Sequence, residues 1–495
     1  MFRMNKLSAA IVAAGLLSGS FLAGPQLASA QAVSTTGSGT AAVVPYYTVR
    51  AGWQTLVNVT NTTSSSLAVK VRIRESYNSR DILDFNILLS PYDVWTAWLS
   101  LGADGKPFLQ TNDRSCTVPI SVRDSGASGS ELAYTGVFKD LGPQTTDRML
   151  EGYAEFLVMG EAPTIVAGTA PYYAEHVNGE PRNCVLAEGK FVNTSGTWDG
   201  AGAIPGTAGS GDPVARSEYG VITSPTPLKV NISYIKRDKG LAGGGTAVHL
   251  AGWGVGQNLV TAQQYPWFLE PTLPSHAGLW STSALPTVEA GFNATAVLNE
   301  WSNNPKLGVA TDWVVAFPTK SYHVDVAPTN IQAGCNNWRT AAGGGAVGAC
   351  TVPLTPFENL FTDKSNITVT YNLFNREEIP LVIKTDGVTV SPAPPPEVKI
   401  STLPYETNVL VIGNSAYGDL VSAFDSTVTQ VVDIKGQFNG SEPEFGWVDL
   451  AFSGAPAAGV GLPAAGMIFK ARDFGDPTLN FGQVMDHGYL RPAAP

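Results

Sequence analysis

Short stretches of alternating apolar and polar residues run through most of this chain. Thr55 to Thr60 (T-L-V-N-V-T) and Leu67 to Arg74 (L-A-V-K-V-R-I-R) repeat with a period of two, which marks strands with unlike faces. The polar Asn61 to Ser66 between them predicts a turn, and so an antiparallel hairpin. In that hairpin Val69, Val71 and Ile73 face the core, while Lys70, Arg72 and Arg74 face water. Ile82 to Leu89 and Val94 to Leu99 are the next strands, parted by the turn Ser90-Pro91-Tyr92-Asp93. Gly152 to Met159 and Val230 to Ile235 continue the pattern. So do Asp312 to Phe317, Ser321 to Val326, Ile367 to Phe374, Val388 to Ser391, Val398 to Ser401, Val409 to Ile412, Val428 to Val432, Trp447 to Phe452 and Met467 to Ala471. Val288 to Glu300 is the best helix candidate. Residues 31–41 predict a flexible stretch, and Ala242 to Gly256 an irregular, Gly-rich one. Strands this short, with turn signals every 8–12 residues or so, predict a mainly β fold. The expected architecture is antiparallel, Ig-like β-sandwich domains with long Gly/Pro-rich loops and few short helices.

Three segments follow from composition. Residues 1–30 read as an export signal: Arg3 and Lys6 precede an apolar Leu7 to Leu17, and Ala28-Ser29-Ala30 forms a small-residue cleavage site. Cleavage after Ala30 leaves Gln31 at the new N-terminus. Residues 31–215 are the expected N-terminal β-sandwich domain, closed by a loop over 195–213 made almost wholly of small and turn-forming residues. Residues 216–495 form a C-terminal β-rich domain, subdivided near the proline run at 392–396. No later stretch supplies the roughly 18 uninterrupted apolar residues of a spanning helix.

Composition narrows the function. The 52 Gly and 34 Pro exclude a helical bundle, a coiled coil or a collagen-like rod. A net charge of −11 argues against nucleic-acid ligands, and the densest basic stretch, Lys236-Arg237-Asp238-Lys239, reads as a solvated turn. Export places Cys116, Cys184, Cys335 and Cys350 in an oxidising compartment, where two disulfides can form. Three pairings exist, and chain order favours Cys116–Cys184 with Cys335–Cys350.

Catalytic signatures are sparse. Gly413-Asn414-Ser415-Ala416-Tyr417 lacks the second Gly of a nucleophile elbow, and neither H-E-x-x-H nor a P-loop occurs. His176, His249, His276, His323 and His487 are scattered. Glu377 and Glu378 are adjacent, and adjacent strand residues point to opposite faces. No cofactor is required. Calcium is the ion best suited to these loops, with Asp473-Phe474-Gly475-Asp476 the leading acidic turn and Gly102-Ala103-Asp104-Gly105 a poorer one. Trp95, Trp98 and Trp267-Phe268 read as core residues, with a carbohydrate platform as the other use of such rings.

Four segments have a familiar look together: Asn78 to Asn86 with Leu89 to Thr96, Thr311 to Lys320, Asn375 to Glu378, and Tyr405 to Val409. This set resembles a group of secreted proteobacterial cell-surface, S-layer-like β-proteins. The resemblance implies an exported β-protein of a Gram-negative cell and transfers no functional residue. Physically the segments read as architecture, in which Arg72, Arg74 or Arg80 pairs with Asp81 or Asp84 to fix register.

The expected function is therefore a non-catalytic, exported structural protein of the outer cell surface or extracellular space, with the periplasm as the alternative location. It would act as an S-layer-like or other assembly subunit, associating with itself or with other surface components. A carbohydrate-binding adhesin or matrix protein, and a β-rich extracellular hydrolase, are the alternatives.

Overall fold

A strand covered on one face reads as an alternation, whereas a strand covered on both faces reads as an unbroken buried run. Both kinds occur in the computed structural model. It describes residues 31–192, 214–262, 265–268, 285–325, 354–377, 379–380, 399–438, 442–452 and 461–491. The expectations at residues 1–30, 195–213, 388–391 and 392–396, and at His276, Cys335, Cys350 and Glu378, lie outside these.

The fold is mainly β, built from antiparallel sheets with few short helices. The first unit has two large sheets and a two-stranded pair of His176–Val177 with Glu180–Pro181. One runs in the order Ala32–Val33, Val248–Ala251, Ala41–Thr48, Glu151–Ala162, Ser66–Glu75, Asp81–Leu89, Cys116–Val118. The other runs Leu241–Thr246, Leu228–Lys236, Trp53–Asn61, Val94–Leu101, Pro107–Gln110, Ala127–Ser128. The second unit has two five-stranded sheets. The first is Lys399–Leu403, Ile367–Asn375, Phe445–Ala451, Ala296–Ser302 and Gly488–Leu490. The other is Thr429–Asp433, Thr407–Gly413, Val309–Ala316, Ala465–Arg472 and Phe481–Asp486, whose pair Thr407–Gly413 and Thr429–Asp433 is parallel.

That last sheet joins the units. Trp313, Val315, Leu410, Ile412 and Ile468 enter the core of the second unit. Their strand neighbours Val314, Val409, Met467 and Phe469 enter the core of the first. Alternate residues thus serve two cores, and Thr407–Gly413 is buried at every position. At the seam, Gly243 and Gly245 lie against Gly482 and Val484; a Cβ on Gly245 would stand 2.5 Å from Val484 Cγ1.

Several expectations change. Trp53–Asn61 and Ser66–Glu75 do not form a hairpin: the first pairs with Leu228–Lys236 and Val94–Leu101, the second with Glu151–Ala162 and Asp81–Leu89. The turn between them is a crossing from sheet to sheet, held by Asn61, whose Nδ2 donates to Ser65 O and Ser90 O at 2.7 and 2.8 Å. Residues 31–41 are fixed rather than flexible, because Ala32 and Val33 pair with Ala251 and Leu250. The Gly-rich 242–256 stretch contains two strands. Strands 228–251 complete the first unit's sheets, so the change of unit falls between Ala251 and Asn293 rather than at 215/216. Over the described part of Ser321 to Val326, residues 321–325, there is no strand: Lys320–Val324 is a helix after the Phe317-Pro318 break. The helix near 288 is Leu285–Phe292, and Ala296–Ser302 is a strand.

Candidate functional site: the buried ionic junction

The basic face of Ser66–Glu75 is not wet. Lys70, Arg72 and Arg74 are at most 1% exposed. Register explains their tolerance of burial: Glu155 of the neighbouring strand stands opposite Arg72, and on the other side Asp84 stands opposite Arg72 and Asp81 opposite Arg74. Arg72 pairs with Asp81, and Arg74 reaches Asp81 at 3.3 Å and Glu155 at 2.9 Å. Lys70 lies 3.8 Å from Asp84. Burial opposes the Arg74 charge, but Asp81 and Glu155 more than offset it and hold its pKa above the ordinary arginine value. Burial pushes Glu155 up. The lid over these charges comes from later in the chain: Trp267 lies under the Arg72 guanidinium at 5.0 Å, and Tyr322 accepts from Arg74 Nη2 at 3.4 Å.

The loop after this strand is equally buried. Glu75 accepts from the backbone amides of Tyr77, Asn78 and Arg80, which folds the loop around its carboxylate. Arg148 then clamps Glu75 and Asp140 with four hydrogen bonds of 2.6–2.9 Å. Burial raises the Asp140 pKa, yet Arg148, Arg80 and Asn78 outweigh it and hold the group at about 2. Arg80 also reaches Asp325 of the second unit at 2.5 Å.

Three of the four segments that carry the resemblance meet at this junction. Ser79, in the left-handed region at φ 56°, donates to Glu406 Oε2 at 3.0 Å and accepts from Tyr153 OH at 2.8 Å. Thr407 N donates to Ser76 O at 3.0 Å. Lys320 Nζ donates to Tyr405 O at 3.1 Å. Burial pushes Glu406 up and Lys320 down. The fourth segment is separate: Asn375 caps its own turn by accepting from Glu377 N and Ile379 N.

A second latch lies nearby. Glu151, fully buried in the first unit, accepts from Tyr46 OH, Arg50 Nε, Ser426 Oγ, Thr427 N and Thr427 Oγ1 at 2.6–3.0 Å. Asp312 of the second unit binds the same loop through Ser422 Oγ, Ala423 N and Phe424 N at 2.6–3.0 Å. Burial raises Asp312 to about 6 against those donors. The loop so fixed inserts Phe424 among Tyr46, Trp53, Tyr234 and Phe469, with ring centroids 4.5–5.1 Å away.

Ser79, Glu406 and Lys320 are 0% exposed. Ser90, His176 and Asp93 also gather, but Ser90 Oγ and Asp93 Oδ2 both face Nδ1, at 3.0 and 3.3 Å. A triad needs the hydroxyl on one ring nitrogen and the carboxylate on the other. Among the other histidines, His249 Nε2 accepts from Val230 N, His323 Nε2 meets Glu289, and His487 Nε2 meets Val314 O.

The remaining predicted site residues are dispersed. Cys116 and Cys184 form a disulfide. Asp473 accepts from Gly475 N and Asn480 in its own turn and also pairs with Lys239 of the first unit, while Asp476 closes its own turn by accepting from Thr478. Asp104 likewise bonds Lys106 N and Ser128. Trp95, Trp267 and Phe268 are core residues, and Trp98 is partly buried on its strand. More exposed ring pairs among the described residues include Trp447 stacked on the half-buried Phe374, with centroids 4.4 Å apart, and Phe474 with Phe481, 6.4 Å apart. Among the described residues no helix is long and apolar enough to cross a membrane. Glu151 was not singled out in the sequence, and Glu406 was named only within the Tyr405 to Val409 segment, because a lone carboxylate gives no sign of distant partners.

No family model, curated protein or solved structure matches this chain.

Proposed function

We propose that this chain is an exported structural protein of the outer cell surface, an S-layer-like or other extracellular assembly subunit. The observation that carries this reading is the ionic junction. A protein that transmits force between neighbours benefits from units that cannot hinge, and here buried charges from both units are mutually paired. Breaking such a pair leaves an uncompensated charge at a cost of about 3–5 kcal/mol, so relative motion of the units is strongly opposed. The disulfide supports export, because such bonds persist in oxidising compartments. A low charged fraction, 14%, suits lateral packing because fewer charges need matching at each contact.

Fractionation of producing cells, joined to negative-stain electron microscopy of cells and of released protein with and without calcium, tests the reading. Abundant surface protein forming sheets or filaments is the expected result. A scarce protein that stays monomeric at high concentration in both conditions would overturn it.

A further inference from the structure

We infer that Gln31 is a modification site: in the exported protein its side chain closes onto its own α-amine, and the mature chain begins with an uncharged pyroglutamyl lactam. The inference rests on the export reading, in which cleavage after Ala30 leaves Gln31 at the new N-terminus.

The structure seats residue 31 against the protein. Ala32 and Val33, directly after it, pair with Ala251 and Leu250, and Ser34 N donates to His249 O at 2.8 Å. The carboxyl end of the helix Leu285–Phe292 lies beside it. Gly291 of that helix lets the backbone approach, since a Cβ there would stand 3.4 Å from Gln31 O.

Two features of this seat favour the lactam over the open residue. The first is charge. Arg491 already holds the helix end, its Nη1 donating to Gly291 O at 3.2 Å and to Asn293 O at 2.8 Å. Burial opposes even that one cation and lowers its pKa. An α-ammonium on residue 31 adds a second positive charge to the same neighbourhood, where these carbonyls are already engaged. The second is hydrogen bonding. Gln31 Oε1 is buried without a partner among the described residues. An open N-terminal Gln adds ammonium and amide N–H donors to be satisfied, whereas the lactam keeps a single N–H beside the same oxygen.

The reaction consumes no second reactant. Near neutral pH a fraction of the α-amine, whose pKa is about 8, is unprotonated. Its nitrogen attacks Cδ of the side-chain amide. The N–Cδ bond forms and the Cδ–Nδ2 bond breaks. The displaced nitrogen takes one proton from the amine and leaves as ammonia.

Tandem mass spectrometry of the protein recovered from the envelope and medium of producing cells tests this, read on the tryptic N-terminal peptide that ends at Arg50. A synthetic peptide of residues 31–50 with a free N-terminal Gln, taken through the same digestion, measures closure during handling. The peptide is expected to begin at residue 31 and to be lighter than its sequence by one ammonia. The denatured chain should resist Edman degradation until pyroglutamyl aminopeptidase removes residue 31. Gln31→Ser cannot close, and should begin at residue 31 with its full mass and a free amine. A free Gln31 amine in most molecules, or closure no greater than in the synthetic peptide, overturns the inference and leaves the export reading standing. A chain that keeps residues 1–30, or begins elsewhere, overturns the cleavage after Ala30 and the inference together.

Discussion

Replacing Glu151 by Gln tests whether the two units are locked together. The carboxylate accepts five hydrogen bonds, three of them from Ser426 and Thr427 of the second unit. Glutamine keeps the shape but offers one acceptor oxygen, and turns an NH₂ group towards donors. Hydrogen bonds to charged groups are worth about 1.5–3 kcal/mol each, but five donors sharing one carboxylate do not add independently. The Arg50 charge also loses a partner while keeping Asp147 at 2.7 Å. The expected cost is therefore that of breaking one buried pair, about 3–5 kcal/mol. The assay is urea unfolding followed by tryptophan fluorescence, together with limited proteolysis of the 422–428 loop. At a urea m-value of about 3 kcal/mol/M, the midpoint falls by more than about 1 M, and the loop becomes cleavable. A loss below about 1 kcal/mol, with the loop still protected, would refute the reasoning, because it would mean that water already solvates the carboxylate.

Four further outcomes are expected from the same structure. Replacing Cys116 and Cys184 by Ala opens a loop with sequence separation 68, which should cost about 4 kcal/mol in the chain-entropy model and is read as a lower thermal midpoint in non-reducing buffer. Burial holds His249 at about 4, below its unfolded value of about 6.5, so the unfolded chain takes up this proton first as pH falls. Stability from this group is complete above pH 6.5 or so and is lost on descending towards pH 4. Wild type should therefore lose about 3 kcal/mol more than His249→Gln across that window in denaturant titrations. At the seam, Gly245→Ala places a Cβ 2.5 Å from Val484 Cγ1 and should cost about 1–3 kcal/mol. Gly189→Ala, which meets nothing within 4 Å, should leave the thermal midpoint unchanged or slightly raised.

Period-two patterns gave away the strands at Trp53–Asn61, Ile367–Asn375 and Leu228–Lys236, whose burial alternates almost residue by residue. Continuous apolar runs also revealed Val309–Ala316 and Thr407–Gly413, although not that each serves two cores. The pairing of Arg72 and Arg74 with Asp81 was legible because all three lie within ten residues. Glu155, Glu151 and Glu406 were not, since their partners come from distant parts of the chain. The Gly-rich 242–245 stretch was misread for a related reason: its glycines are required by contact with Gly482 and Val484, which local sequence cannot display.

By itself, then, the sequence determined what short-range forces determine: the β class and the positions of most strands, each decided by residues a few positions apart. Tertiary structure decided which strands are neighbours, and so whether Lys70, Arg72 and Arg74 meet water or buried carboxylates. An alternating basic face is compatible with either environment. The choice depends on whether the rest of the chain supplies the countercharges and the lid, and here Glu155, Trp267 and Tyr322 do so.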